Sequence, residues 1–151
     1  MALKKIVMTT VVAGTIGLGF LWTSFAQSDD HDHSTHSHDH SKLVSLPAGA
    51  DAPSIGIEIV KDPVGGWNLH IITTNFQFAP EAVNQHHQAG QGHAHIYVNG
   101  KKLARVYGPW FHIGSLPKGN VEVKVTLNSN DHSGLAVGEK ALAATMNVVA
   151  E

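Results

Sequence analysis

An all-β fold, an antiparallel β-sandwich of immunoglobulin-like type, is predicted by three observations. Apolar and polar residues alternate with period two in successive runs from Ile55 to Val149, the pattern of half-buried strands. Gly, Pro, Asn and Asp clusters separate those runs. The count is about six or seven short strands in about 100 residues, the density of a two-sheet sandwich. A small β-barrel satisfies the same count and is the alternative.

The elements follow in order. Ile55, Ile57 and Ile59 alternate with Gly56 and Glu58 and make a first strand. Asp62-Pro63-Val64-Gly65-Gly66 has turn chemistry. The second strand sets Trp67, Leu69 and Ile71 on one face and Asn68, His70 and Ile72 on the other. Phe76 to Gly92 is irregular, with one helical turn at Ala79-Pro80-Glu81-Ala82-Val83 and a polar tail, Gln85-His86-His87-Gln88-Ala89-Gly90-Gln91-Gly92. Two alternating runs, His93 to Val98 and Lys102 to Tyr107, flank Asn99-Gly100. That dipeptide is the strongest short hairpin signal. Gly108 to Ile113 reads as the start of a connection ending at Leu116-Pro117-Lys118-Gly119-Asn120. Pro109-Trp110-Phe111 within it reads as a plug of the core at a sandwich end, although Tyr97, Tyr107, Trp110 and Phe111 could instead form an aromatic surface. Val121, Val123, Val125 and Leu127 form the clearest strand, Asn128 to Glu139 a polar loop, and Leu142 to Val149 the last strand.

The N-terminal part is different in kind. Lys4-Lys5, an uncharged run from Ile6 to Trp22, and the small residues Ser24 and Ala26 have the layout of a secretory signal peptide over residues 1–26. Cleavage after Ala26 makes Gln27 the first mature residue. An uncleaved membrane anchor is the alternative, since a spanning helix needs about 20 apolar residues. Both readings place the domain outside the cytoplasm, periplasmic or secreted. Residues 27–52 lack apolar periodicity and are predicted to be disordered, so the organisation is a 1–26 leader, a 27–52 His/Asp-rich segment and a 53–151 sandwich domain.

Composition removes several functions. Cys is absent from the 151 residues, which excludes disulfides, thiolate metal sites, Cys nucleophiles and a lipidated N-terminal cysteine. Without its leader the chain carries 8 Lys plus Arg against 12 Asp plus Glu, a net charge of −4 with histidines neutral, which argues against nucleic acid as a partner. No His-Glu-x-x-His helix, Gly-x-Ser-x-Gly elbow or phosphate-cradling Gly-rich loop is present.

The 12 histidines, all after the leader, are the compositional outlier. His93-Ala94-His95 places two imidazoles on one face of a strand, with Ala94, Ile96 and Val98 facing the core. Loops gather at the ends of a sandwich, so His132, His112, His86 and His87 can join them. The preferred ligand set is His93, His95 and His132, then His112, with Asp131 as a ligating or orienting carboxylate. His86 and His87 would cover the site from a loop, and His70 lies on the polar face of its strand. Imidazole suits Cu(II), Zn(II) or Ni(II), whereas Cu(I) prefers sulfur. A blue-copper centre needs a Cys thiolate and is excluded. In the 27–52 segment His31, His33, His36, His38 and His40 are interleaved with acids and can bind the same ions without fixed geometry. Protons compete for imidazole nitrogen, so binding is expected to weaken as pH falls through about 6.5.

Gly92 to Gly100, the Tyr107-Gly108-Pro109-Trp110-Phe111-His112 corner and Leu127 to His132 resemble a group of small exported bacterial domains. More distantly, they are similar to periplasmic copper-resistance proteins of immunoglobulin-like or cupredoxin-like fold. The likeness spans about Ile55 to Val149. It implies a Cu(II) ion held by histidines, with Asp131-His132 matching the late acid and histidine. That family's N-terminal histidine has no counterpart here, because Gln27 begins the mature chain; a terminal histidine brace is disfavoured on the same ground. The function expected is extracytoplasmic binding of Cu(II) or Zn(II) for buffering, storage or delivery, to a metal transporter or recipient protein. A sandwich interaction module with incidental histidines and a His-ligated metalloenzyme are the other readings.

Overall fold

The computed structural model describes residues 42–151. The leader and the five tail histidines lie outside the described residues. Within them the strands are β1 (Leu43–Leu46), β2 (Ser54–Lys61), β3 (Trp67–Thr74), β4 (Gln77–Phe78), β5 (Gln91–Val98), β6 (Lys101–Val106), β7 (Trp110–Ile113), β8 (Gly119–Asn128), β9 (Gly134–Val137), β10 (Lys140–Ala141) and β11 (Ala143–Ala150), with a single 3-10 turn at Pro80–Ala82.

Two sheets form from these strands. The smaller is β2-β3-β7; the larger runs β1-β9-β8-β5-β4, with β10 on β9, β11 on β8 and β6 on β5. Alternation explains how they close on each other. Leu69 and Ile71 of β3 and Ile113 of β7 meet Ala94 and Ile96 of β5 and Val121, Val123, Val125 and Leu127 of β8, all of them buried in one core. β2 of the smaller sheet lies along β11 of the larger. The sandwich is therefore as expected, with two short parallel pairs, β1 with β9 and β4 with β5, added to the antiparallel ladders.

The Asn-Gly hairpin forms as predicted. Asn99 and Gly100 take φ of 48° and 77°, the two positive values that a type I′ turn requires. Asn99 also fastens β8, donating its N–H to the Glu122 carbonyl and accepting the Glu122 N–H on Oδ1. One β-bulge interrupts the hairpin: Ile96 faces Ala104 but Tyr97 faces Lys102, leaving Leu103 as the extra residue.

Three expectations need correction. The 27–52 segment is not structureless to its end, because Leu43–Leu46 pairs with Gly134–Val137. By the same pairing, the 128–139 loop contains a strand whose Leu135 and Ala136 are buried. Neither strand has enough length to announce itself; each exists because the other satisfies its backbone. The Gly108 to Ile113 connection becomes β7, which crosses to the smaller sheet and pairs with β3. Trp110 is consequently not a core plug. It is 61% exposed and stacks on His70 at 4.0 Å, while Phe111 is the half-buried residue that packs on the core.

Candidate metal centre

β5 is the strand that builds the site. It is paired on both edges, by β6 and by β8, and β4 joins its first residues. Ala94 and Ile96 point into the sandwich. His93 and His95 point to the other face, yet both are fully buried. Two segments cover them. The stretch around the 3-10 turn reaches β5 through the Ala79 N–H, which donates to the Gly92 carbonyl. The 129–133 turn between β8 and β9 brings His132 over His93, with ring centroids 4.9 Å apart.

Local chemistry aims that turn. The Ser133 N–H and the Ser129 hydroxyl both donate to Asp131 Oδ1, and the Ser129 hydroxyl also reaches the Ser133 carbonyl. The His132 N–H closes on the Ser129 carbonyl. His132 itself sits at φ 70°, a left-handed conformation that a side chain adopts at a cost of about 1 kcal/mol. Such strain at a buried polar side chain is characteristic of positions held for function. The covering segments are joined to each other: the Asn84 N–H donates to the Asn130 carbonyl, and His132 Nε2 lies 2.6 Å from Asn84 Oδ1. Gly92 is needed where β5 passes under this turn, because a Cβ there would come within 2.0 Å of the Asn128 carbonyl oxygen.

His93, His95 and His132 each offer one ring nitrogen, and the three nitrogens lie within 4.8 Å of one another. The Nε2 atoms of His93 and His95 are 3.0 Å apart. Two nitrogens bound to one ion at about 2.0–2.1 Å are separated by about 2.9 Å at a right angle and about 3.4 Å at the tetrahedral angle. The strand pair thus already has the spacing of adjacent ligands, and the three histidines could hold a metal ion.

Electrostatics keep the His93 donor nitrogen available. Burial lowers the pKa of His93 to about 3, helped by the charges of His132, Arg105 and Lys102. At neutral pH His93 is therefore a neutral imidazole, the form that ligates. The expected proton competition near pH 6.5 does not operate at this ring.

The other candidates are placed elsewhere. His112 is on β7 of the smaller sheet, where Nδ1 contacts Asn68 Oδ1 at 3.0 Å and Asp62 lies 3.8 Å away. It is not part of the centre, because its strand changes sheets. His70 is on the same outer surface under Trp110. Asp131 stands next to His132 in sequence but outside the group of converging donors. Its carboxylate is held below the ordinary range, chiefly by the Ser129 hydroxyl, which outweighs the opposing effect of burial, with Ser133 adding to it. Its role is to shape the turn. His86 is exposed and lines an open cavity of about 410 Å³ with Asn84, Gln85, Gln88 and Asp131. His87 is half-buried in the same loop.

Three neighbours of the centre were not singled out as site residues. Lys102 Nζ reaches His95 Nε2 at 3.0 Å; burial, and secondarily Arg105, lower its pKa. Tyr107 stacks obliquely on His93 at 5.4 Å, and its buried hydroxyl has no hydrogen-bond partner among the described residues. Asn84 orients His132. The hairpin signal implies that β6 lies beside the His-x-His strand, but the bulge that brings Lys102 to the histidine face has no sequence mark. No protein-family model, curated protein or solved structure matches the chain.

Proposed function

We propose that this chain is an extracytoplasmic metal-binding protein that holds Cu(II) or Zn(II) through His93, His95 and His132 and serves in buffering, storage or delivery of the ion. The observation that carries the reading is the convergence of three buried imidazoles from two separate elements. The three buried imidazoles lie within ligand spacing, so a single ion would take one nitrogen from each of them. Donor chemistry supports the choice of ion: three nitrogens without sulfur suit Zn(II) or Cu(II). Compartment and tail belong to the same proposal. The leader-like residues 1–26 would export the chain, and His31, His33, His36, His38 and His40 would collect the same ions.

The test is a competition titration with copper and zinc on the full chain in which the five tail histidines are changed to Ser. One ion should bind more tightly than to a free His-rich peptide. Affinity no better than that of the peptide would remove the folded site. Truncation should stop before residue 42, since β1 begins at Leu43 and pairs with β9.

A further inference from the structure

The donor set leaves a question of charge, and its answer rests on the metal-binding reading above. Three imidazoles are neutral ligands and would leave at least a fourth position open on a Zn(II) or Cu(II) ion. Among the described residues no Asp or Glu belongs to the group, and Asp131 turns its Oδ1 to Ser129 and Ser133. The charges that do border the site are positive. Lys102 Nζ is 3.0 Å from His95 Nε2, the nitrogen that also lies 3.0 Å from His93 Nε2. Arg105 is directly opposite His95 in the β5–β6 ladder.

A divalent ion with three neutral ligands keeps its full charge in a buried place, beside an ammonium that repels it. An anion in the fourth position resolves both problems. It lowers the net charge of the centre, and it gives the ammonium a charge-assisted hydrogen bond in place of the imidazole nitrogen that the ion takes. The backbone is arranged for this. The bulge at Leu103 sets Lys102 opposite Tyr97, on the strand face shared by His93 and His95. Bulges are a common means of re-aiming a side chain beside a site.

We infer that the ion held by His93, His95 and His132 takes a small anion from solution as its fourth ligand, and that Lys102 holds that anion. The ligand class is a compact anion with a nitrogen or oxygen donor, such as a carboxylate or carbonate. Lys102 then decides what the loaded centre accepts: anions are favoured over neutral ligands of similar size.

The experiment uses the full chain with the five tail histidines changed to Ser, loaded with one equivalent of Cu(II). Azide is titrated in and followed by its charge-transfer band to copper; imidazole, a neutral ligand, is titrated in separately. Replacing Lys102 by Gln should weaken azide binding about 10- to 100-fold, the worth of a charge-assisted hydrogen bond, while imidazole binding holds or improves. Lys102→Arg should restore azide affinity in part. Equal azide affinity in the parent chain and Lys102→Gln overturns the inference and leaves the metal site intact. Parallel loss of azide and imidazole overturns it as well, since a distorted site would do the same. If Lys102→Gln loses copper itself and Lys102→Arg does not recover it, Lys102 is a ligand to the ion and the inference is wrong. Failure of the parent chain to take up copper removes both the reading and the inference.

Discussion

Each sheet presents histidines on its outer face, and the two groups differ in what surrounds them. On the smaller sheet His70 and His112 are each served by separate partners, Trp110 and Glu58 for one, Asn68 and Asp62 for the other. On the larger sheet His93, His95 and His132 are buried and serve one another. Strand alternation puts His70, His112, His93 and His95 on outer faces, but among the described residues only His93 and His95 gain a cover, because the 129–133 turn, which carries His132, and the stretch around the 3-10 turn fold over β5. A histidine on a strand becomes a candidate ligand when a second element closes over it.

That contrast can be broken most directly by truncation. With the tail histidines changed to Ser, His93→Ala should reduce copper or zinc affinity by more than about 100-fold, given the large free energies of ligated sites, whereas His112→Ala should leave it within about twofold. Equal losses in competition titrations would mean that the two faces do not differ.

The next effect is on stability against pH. His93 titrates at about 3 in the fold and near 6.5 unfolded, so the unfolded chain binds the extra proton between those values. Its contribution is complete above pH 6.5 and is lost as pH falls toward 3, by at most about 1.4 kcal/mol per unit. Urea unfolding across this range should show the slope, and His93→Phe should flatten it. An unchanged slope would place the acid sensitivity elsewhere.

A smaller effect is expected at the crossing of β5 under its cover. Gly92→Ala forces a Cβ against the Asn128 carbonyl and should cost about 1–3 kcal/mol, as overpacking does. Metal affinity should fall with it, because the 129–133 turn must move. Thermal melts with and without zinc would read both. The smallest effect belongs to the other sheet: Trp110→Ala loses an exposed stack worth about 0.5–1.5 kcal/mol and should leave metal binding unaltered.

Much of the fold is legible from period-two alternation. β2, β3, β8 and β11 fall where Ile57, Leu69, Val123 and Met146 indicate, and Asn99-Gly100 marks its hairpin. β1 and β9 are not legible, since each is four residues long and their pairing joins residues about 90 positions apart. β7 is hidden by Gly108-Pro109, which looks like loop chemistry and in fact marks the passage between sheets. The site is legible in the same uneven way. His-x-His on a strand and a histidine after the clearest strand are local patterns, and they identify the three converging rings. His112 misleads because sheet membership is a property of topology and not of spacing. Complete burial of His93 and His95 is also invisible locally, since alternation alone assigns them to a solvated face.

His93 and His95 stand on a strand fastened along both edges, while His132 stands on a short turn held by its own backbone and side-chain hydrogen bonds and a link to Asn84, with one strained residue. For an ion bound as proposed, this two-plus-one division separates equilibrium from exchange. The strand pair fixes where the ion sits, and the opening of the turn sets how long it stays. Variation within 129–133 could therefore tune residence time over a wide range without altering the metal preferred, which is the property that divides a protein that keeps its cargo from one that passes it on.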